Sequence, residues 1–180
     1  MKTETAVLGG GCFWCTEAIY KRIIGVVSVK PGYAGGHSES PTYYQVCSGT
    51  TGHAEVIRVE FDPEVVAYED LLEIFWQAHD PTTKNKQGND IGTQYRSIIL
   101  FKDNTQQKLA EASLKKADTS GEFKKPIVTE IKPLDVFYEA EDYHQDYFAN
   151  NPNQPYCRAV ISPKVKHFFE KYPKEQAKAV

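Results

Sequence analysis

The spacing of apolar residues along the chain predicts an alternation of strands and helices. Residues 54–62 (AEVIRVEFD) alternate between apolar and polar side chains, which predicts a strand that Asp62-Pro63 ends. Residues 68–80 have apolar side chains at helical spacing and are expected to form an amphipathic helix. Residues 104–121 predict a surface helix that Asp103 or Asn104 caps and Gly121 ends. Further strands are predicted at 5–9, 26–36, 95–101 and 127–135, and further helices at 12–24, 141–151 and 163–172.

The order of these elements, β-α-β-β-α-β followed by α-β, predicts an α+β fold. This order is typical of the ferredoxin-like (split βαβ) arrangement, a two-layer sandwich with helices packed on a mixed sheet. Two long loops, residues 37–53 and 81–94, interrupt the pattern, and loops of that length usually have a function. From Asn151 onward the chain contains several prolines and Cys157, and we expect a coil-rich C-terminal tail.

Length and composition narrow the class of protein. No linker or repeat divides the 180 residues, so residues 1–180 are expected to form one domain. The net charge of −3, with Lys and Arg scattered along the chain, gives no reason to expect a nucleic-acid or membrane partner. The N-terminus lacks the apolar core of a secretory signal, and no apolar run reaches membrane-spanning length. We therefore expect a cytoplasmic protein, and a monomer.

The four cysteines favour redox or metal chemistry over a disulfide scaffold in a chain of this size. Cys12 lies in the sequence GGGCFWCTEAIY, directly after three glycines and where a helix is predicted to begin. Glycines allow a sharp turn and a close approach to a ligand, and a helix N-terminus lowers the pKa of a thiol. Cys12 is therefore predicted to be a nucleophile, with an inert buried cysteine as the alternative.

Phe13 and Trp14 follow Cys12 and could form an apolar pocket for a small group such as a methyl, or simply belong to the core. Glu55 shares one face of its strand with Ile57 and Val59, which predicts a buried carboxyl. Burial raises the pKa of a carboxyl, so Glu55 could be a general acid near pH 7. The alternatives are an ion pair with Lys or Arg, or exposure at the end of the strand.

The two loops add polar side chains that could bind an oxygen atom. Tyr43 and Tyr44 lie in the first loop, and Asp90 and Tyr95 frame the second. Together with a reactive thiol and an acid, they suggest attack on a polarised, oxygen-bearing centre. His53 and His79 could be bases or metal ligands, but structural histidines are more common.

A second thiol would be needed to clear the oxidised product of such chemistry. Cys157 in the C-terminal tail is the first candidate, because a mobile tail can close on Cys12. Cys15 is one helical turn from Cys12, and a disulfide between them would require local unwinding. Cys47 lies in the first loop, close in sequence to Tyr43.

Four motifs occur in one order along the chain. They are GCFW (11–14) followed by Glu17, SGTTGHAEVIRVEFDP (48–63), FWQAHDPT (75–82) and QGNDIGTQYRS (87–97). With these motifs the chain resembles the peptide methionine sulfoxide reductase A family over nearly its whole length.

The resemblance implies a catalytic cycle and assigns its residues. Cys12 would attack the sulfur of a methionine S-sulfoxide, free or in a protein, and become a sulfenic acid as methionine leaves. Glu55, Tyr43 and Tyr95 would bind the sulfoxide oxygen, with Glu55 as proton donor, and Asp90 would fix the site and its water. The resemblance implies Phe13 and Trp14 as the pocket for the methyl group.

The resemblance further implies that a recycling cysteine forms a disulfide with Cys12 and that thioredoxin reduces it, in the repair of oxidised proteins. Cys157 matches the C-terminal region that carries the recycling cysteine in many members. Many relatives have Gly at the position of Cys15, which keeps a Cys12–Cys15 disulfide as the alternative. No cofactor or metal is implied.

Two other function classes remain open on the sequence. A general thiol–disulfide oxidoreductase could use Cys12 and Cys15 as a C-x-x-C pair, but Glu55 and the loop tyrosines would then have no role. A zinc-binding module would need more cysteines or histidines at metal-ligand spacing than the chain has, because Cys47 and Cys157 are isolated in the sequence.

Overall fold

The computed structural model of the chain describes residues 2–173. The strands are β1 (Glu4–Gly9), β2 (Val26–Ala34), β3 (Ala54–Phe61), β4 (Lys86–Gln87), β5 (Asp90–Ile91), β6 (Ile98–Phe101), β7 (Glu130–Pro133) and β8 (Phe137–Glu139). The helices are α1 (Phe13–Tyr20), α2 (Tyr43–Cys47), α3 (Tyr68–Ala78), α4 (Asn104–Thr119), α5 (Tyr147–Asn150) and α6 (Ser162–Lys171). Among the described residues, no helix is both long and apolar enough to cross a membrane.

Six of the strands form one mixed sheet in the order β7-β6-β1-β3-β2-β8. Every neighbouring pair is antiparallel except β6 and β7, which run parallel. β1 and β2 therefore point the same way, with β3 between them. The register pairs Tyr33 with Glu55, so Glu55, the second residue of β3, lies near the end of an interior strand of the sheet. The strands β4 and β5 form a separate two-stranded ribbon.

The sheet is covered on both faces. Ile57, Val59 and Phe61 contribute to the larger apolar cluster, which also contains residues of α1, α3 and α6. Val56 and neighbouring small or branched residues of β1, β2 and β6 form a smaller cluster. Trp76 of α3 is buried in the larger cluster, and its indole N–H donates to Ser113 Oγ of α4 at 2.8 Å. Burial of each such large side chain contributes roughly 2–3 kcal/mol.

Most predicted elements are present, with different ends. The helix predicted at 12–24 ends at Tyr20, and the strand predicted at 95–101 begins only at Ile98, after a 3₁₀ turn at Thr93–Tyr95. The helix predicted at 141–151 is divided into a 3₁₀ turn and α5, because Asp146 between them adopts a left-handed backbone with φ of 55°. The short elements α2, β4, β5 and β8 were not predicted.

The prediction of a coil-rich C-terminal tail is wrong for the described residues. A π-helical turn at Cys157–Ile161 continues directly into α6, which was predicted at 163–172. Ile161, Val165, Phe168 and Phe169 recur at helical spacing and pack into the larger cluster. The prolines of this region lie before the π-helical turn, within the first turn of α6, where proline is tolerated, or after the end of α6 at Pro173. Residues 174–180 of the predicted tail lie outside the described residues.

Candidate active site

The turn between β1 and α1 brings Cys12 to the end of the central sheet. Gly9 packs so closely that a Cβ atom there would lie 2.9 Å from the backbone oxygen of Glu55. Gly11 has a φ of 90°, and a Cβ atom on it would lie 2.7 Å from Cγ of Gln87. Glycine alone fits these two positions, which explains the glycine run before Cys12.

Cys12 is the N-cap of α1, with an extended backbone (φ −59°, ψ 125°). The helix itself is anchored by Glu17, a buried residue whose carboxylate pairs with Lys21 at 3.0 Å and accepts from the Asp146 backbone N–H at 2.9 Å. The start of α1 is therefore fixed from both sides, by the glycine turn and by the segment that leads into α5.

A cavity of about 200 Å³ opens beside the sulfur of Cys12. Seven of the residues that line it were predicted as site residues from the sequence. They are Cys12, Phe13, Trp14, Tyr43, Glu55, Asp90 and Tyr95. The eighth is Tyr156, which the sequence analysis missed although it directly precedes Cys157.

Glu55 lies at the floor of this cavity and is only 2% exposed. Its Oε2 atom accepts a hydrogen bond from the backbone N–H of Phe13 at 3.0 Å. Burial raises the pKa of Glu55 to about 8, even though this hydrogen bond acts in the opposite direction. Glu55 makes no ion pair with the other described residues, so its carboxyl group retains a proton at neutral pH.

Phe13 and Trp14 form an aromatic wall whose orientation is fixed. The Trp14 ring stacks on Tyr147 with centroids 3.7 Å apart and an interplanar angle of 6°. Its indole N–H donates to Nδ1 of the buried His144 at 3.0 Å. Phe13 is itself buried and lies 5.7 Å, centroid to centroid, from Tyr33. This wall gives the cavity an apolar side that can hold a small alkyl group.

Tyr43 and Tyr95 also line the cavity and supply uncharged phenol groups to it. Tyr43 begins α2, where Thr42 and Gln45 form a capping box, and its backbone N–H donates to Glu141 at 3.1 Å. Burial raises the pKa values of Tyr43 and Tyr95 well above the usual range for a phenol. Both therefore remain neutral hydrogen-bond donors.

Asp90 belongs to the ribbon of β4 and β5, which forms part of the predicted second loop. Its Oδ2 atom accepts a hydrogen bond from the Tyr156 hydroxyl at 2.7 Å. This contact joins the second loop to the C-terminal helical segment across the mouth of the cavity.

The sequence of the chain matches a model of one protein family, peptide methionine sulfoxide reductase, over residues 4–177. The chain is 58% identical to "Peptide methionine sulfoxide reductase MsrA" of Saccharolobus solfataricus, with 94% of this chain and 95% of that protein covered. The chain belongs to the peptide methionine sulfoxide reductase family. It is therefore an oxidoreductase.

Solved structures agree with this membership. Mxr1 from Saccharomyces cerevisiae in its reduced form is 38% identical, with a TM-score of 0.79 over 87% of this chain and 90% of that one. The same yeast protein in complex with Trx2 is 28% identical, with a TM-score of 0.57 over 81% of this chain and 85% of that one.

In this reductase the pKa of Cys12 is raised, whereas the sequence predicted that it would be lowered. Burial, the neighbouring thiol of Cys15 and the carboxyl of Glu55 raise the pKa of Cys12 well above its ordinary value. The prediction that the helix N-terminus lowers the pKa of Cys12 is therefore wrong. The physical reason is that Cys12 is only 8% exposed, so desolvation of a thiolate outweighs the partial charge of α1.

The other three cysteines of the reductase differ in their surroundings. Cys15 is buried, and a hydrogen bond from the Cys12 thiol lowers the pKa of Cys15 to about 7. Cys157 is fully buried, and burial raises its pKa. Cys47 is exposed at the end of α2, where its thiol lies beside the Tyr43 hydroxyl.

The remaining candidates lie outside the cavity. Tyr44 is 79% exposed. His53 bonds to the backbone of Gly36 and Ser38 within the first loop, and His79 bonds to Phe75 O and Ser97 Oγ in the core. Both histidines are structural. Within residues 2–173, no group of three or more His, Cys, Asp or Glu side chains is arranged to hold a metal ion.

Proposed function

We propose that this chain reduces methionine S-sulfoxide, in oxidised proteins or as the free amino acid, with Cys12 as the nucleophile. One observation carries the proposal: a thiol, a protonated carboxyl and an aromatic wall line the same cavity of about 200 Å³. That volume admits the end of a methionine sulfoxide side chain. Its polar and apolar sides correspond to the oxygen and the methyl group of the sulfoxide.

The first half of the cycle transfers an oxygen atom. The sulfur of Cys12 attacks the sulfoxide sulfur and forms a transient sulfur–sulfur bond. The oxygen then passes to Cys12: an oxygen–sulfur bond forms there while the sulfur–sulfur bond and the sulfur–oxygen bond of the substrate break. Glu55 gives its proton to the sulfoxide oxygen and regains one from the Cys12 thiol. The products are methionine, reduced by two electrons, and the sulfenic acid of Cys12, oxidised by two.

The other residues of the cavity bind and orient the substrate. Tyr43 and Tyr95, as neutral donors, hydrogen-bond the sulfoxide oxygen without adding a charge that would oppose proton transfer. Phe13 and Trp14 hold the methyl group. Asp90, fixed by its bond to Tyr156, closes the polar side and orients water.

For the second half of the cycle we propose Cys15 as the thiol that attacks the sulfenic acid. The sequence favours Cys157, but Cys15 forms a hydrogen bond with the thiol of Cys12, the group that is oxidised, and in the reduced chain this bond lowers the pKa of Cys15. Cys12 has an extended backbone as the N-cap, so a Cys12–Cys15 disulfide does not have to span two helical residues.

Cys157 then acts second. It attacks Cys15 in the Cys12–Cys15 disulfide, which frees Cys12 and leaves a Cys15–Cys157 disulfide. The charge of Cys15 raises the pKa of Cys157, which supports their proximity, while full burial argues against Cys157 as the first attacking group. Thioredoxin is the proposed reductant of the resulting disulfide, and the complex of the yeast relative with Trx2 supports it.

Single turnover with methionine sulfoxide, without and then with thioredoxin, tests these roles. Cys12→Ser is expected to form no methionine, because the nucleophile is lost. Cys15→Ser is expected to form about one equivalent per enzyme and to accumulate sulfenic acid that dimedone traps. Cys157→Ser is expected to form the Cys12–Cys15 disulfide, which mass spectrometry of its peptides identifies.

Cys47→Ser is the matched control, because it removes a thiol and keeps a polar group beside Tyr43; we expect full turnover. Methionine formation by Cys12→Ser would refute the proposed nucleophile. Disulfide formation at an unchanged rate in Cys15→Ser would instead return the first recycling role to Cys157.

Three further proposals concern the whole chain. We propose a ferredoxin-like core, supported by the antiparallel order β6-β1-β3-β2 and by α1 and α3 as the two crossing helices. We propose a single catalytic domain, supported by the family match over residues 4–177. We also propose a cytoplasmic monomer without nucleic-acid or membrane partners, supported by the scattered charges of the sequence.

A further inference from the structure

A second cavity, of about 330 Å³, adjoins the first on the side of Cys15. Cys12, Asp90 and Tyr156 line both cavities, whereas Cys15 lines only the second. Lys164, in the first turn of α6, also lines the second cavity. It is the one basic side chain in the lining of either of these two cavities.

Lys164 is not engaged elsewhere among the described residues. It is half-buried and forms no ion pair with residues 2–173, whereas Lys166 on the same helix pairs with Glu170 at 3.8 Å. A half-buried ammonium group beside a buried thiol favours the thiolate over the thiol. In agreement with this position, the positive charge of Lys164 lowers the pKa of Cys15.

The other titratable groups around Cys15 change its pKa in both directions, some lowering it and some raising it. The Cys12 thiol and the Tyr156 hydroxyl donate hydrogen bonds that lower the pKa of Cys15, and the charge of Asp90 raises it. Burial also raises it, and Glu55 and Cys157 are the remaining groups that interact with the charge of Cys15. Lys164 is therefore the single positive charge that offsets the acidic groups around this thiol.

We propose that Lys164 is a positioning residue for the recycling half of the reaction, where it stabilises the thiolate of Cys15 through the second cavity. This inference rests on the proposed function. The Cys15 thiolate attacks the sulfur of the Cys12 sulfenic acid, a sulfur–sulfur bond forms, and the sulfur–oxygen bond breaks. The departing hydroxide takes a proton and leaves as water, so the sulfenic sulfur is reduced and Cys15 is oxidised.

The same charge assists the return to the thiol form. When the thiolate of a dithiol reductant attacks Cys157 in the Cys15–Cys157 disulfide, Cys15 is the leaving group. Thiols of lower pKa leave faster, so stabilisation of the Cys15 thiolate accelerates this exchange as well.

The test replaces the charge of Lys164 and measures each half of the cycle separately. Lys164→Met removes the charge, Lys164→Arg keeps it, and Lys166→Met is the matched control on an exposed position of the same helix. In a Cys12→Ser, Cys47→Ser, Cys157→Ser background, thiolate absorbance reports the titration of Cys15 alone. We expect Lys164→Met to raise its midpoint by about 0.5–1 pH unit, and Lys164→Arg to restore it.

In the chain with all four cysteines, disulfide formation after one turnover is followed against pH. We expect Lys164→Met to slow it about two- to fivefold at pH 7, because a smaller thiolate fraction is partly offset by a more nucleophilic thiolate. The deficit grows towards pH 6 and disappears above about pH 8.5. A loss caused only by altered packing would not depend on pH in this way.

Three results would overturn the inference. They are an unchanged Cys15 titration in Lys164→Met, an equal effect of Lys166→Met, and a pH-independent loss that Lys164→Arg does not repair. If Lys164→Met instead reduced methionine formation in the first half of the cycle, Lys164 would not belong to recycling. Failure of the proposed function itself is distinguishable, because methionine formation would then persist in Cys12→Ser.

Discussion

At the scale of single residues, the thiol of Cys12 and the carboxyl of Glu55 line one small cavity and are both buried. The charge of Glu55 hinders ionisation of the Cys12 thiol, because two negative charges in so small a volume repel and are poorly solvated, whereas the charges of Asp90 and Cys15 hinder ionisation of Glu55. In the proposed mechanism, Cys12 therefore keeps its proton until a substrate oxygen can accept one from Glu55. The high pKa of Cys12 does not contradict its proposed role as a nucleophile, since in that mechanism the proton transfer follows substrate binding.

Glu55→Gln is expected to slow single-turnover methionine formation by about 10²–10⁴-fold, because an amide can donate a hydrogen bond but cannot transfer its proton. In the unmodified protein, the rate is expected to fall as pH rises through about 8, where Glu55 loses its proton. Glu55→Gln should lack this fall.

Glu60→Gln is the control on the same strand, since Glu60 is not a cavity residue and bonds to Thr3 and Ser28. Its rate should match that of the unmodified protein. A Glu55→Gln rate within tenfold of the original would show that another group supplies the proton.

At the scale of elements, the position of Cys12 depends on the turn that joins β1 to α1. Gly11 has a left-handed backbone, and its Cα lies against the side chain of Gln87 in β4. The side-chain amide of Gln87 bonds to the backbone of Asp80 at 2.9 and 3.0 Å. Because Gln87 is held in place, the turn cannot accommodate a larger residue without moving β4, and with β4 the wall that carries Asp90.

Gly11→Ala is expected to lower the free energy of unfolding by about 2–4 kcal/mol, the sum of a strained φ and a close contact. Gly121→Ala is the matched control, because its φ of 82° is similar and a Cβ atom there has no neighbour within 4 Å. It should lose only about 1–2 kcal/mol.

Denaturant unfolding of both variants measures these losses. Gly11→Ala should also slow methionine formation at least tenfold, because small displacements of a nucleophile have large kinetic effects. Equal losses in the two variants would show that the contact with Gln87 is unimportant.

At the scale of the whole molecule, two buried groups give the stability a pH dependence of opposite sign. Burial lowers the pKa of His79 to about 3, whereas a histidine in the unfolded chain has a pKa of about 6.5. As pH falls below about 6.5 the unfolded chain gains a proton that the folded chain does not, so the stabilisation that His79 contributes is lost. Glu55 has a pKa raised to about 8, so between about 4.5 and 8 the folded chain binds one more proton than the unfolded chain. Glu55 therefore destabilises the fold progressively as pH rises.

The difference in unfolding free energy between Glu55→Gln and the unmodified protein is expected to increase with pH. Between pH 5 and 8, the variant is expected to gain up to about 1.4 kcal/mol of unfolding free energy per pH unit relative to the unmodified protein. Unfolding in denaturant at several pH values measures it, with the exposed Glu64→Gln as control. A difference that stays constant with pH would mean that Glu55 is ionised in the folded protein at neutral pH.

The sequence predicted the strongly periodic elements well, because their apolar patterns reflect the packing that forms them. The strand at 54–62 and the helices at 68–80 and 104–121 are within a few residues of the observed ends. The short elements α2, β4, β5 and β8 were missed. Elements of two to five residues have no period to detect, and contacts with the rest of the chain stabilise them.

The candidate site was predicted for a different reason. Its residue types are chemically unusual where they occur: a cysteine after three glycines, and a carboxylate within an apolar strand. Tyr156 lacked such a signal, because a tyrosine beside prolines and a cysteine indicates no particular partner. Only the helical packing of residues 157–171 brings it to Asp90.

The sequence by itself determined the family, five of the six strands of the central sheet and most of the residues that meet around Cys12. Those features are written in local patterns of side chains. Tertiary structure alone decided the protonation of the two central groups and the surroundings of the cysteines. Desolvation and the distances between charges belong to no single segment, and they raise the pKa of Cys12, keep the proton on Glu55 and place Lys164 beside Cys15.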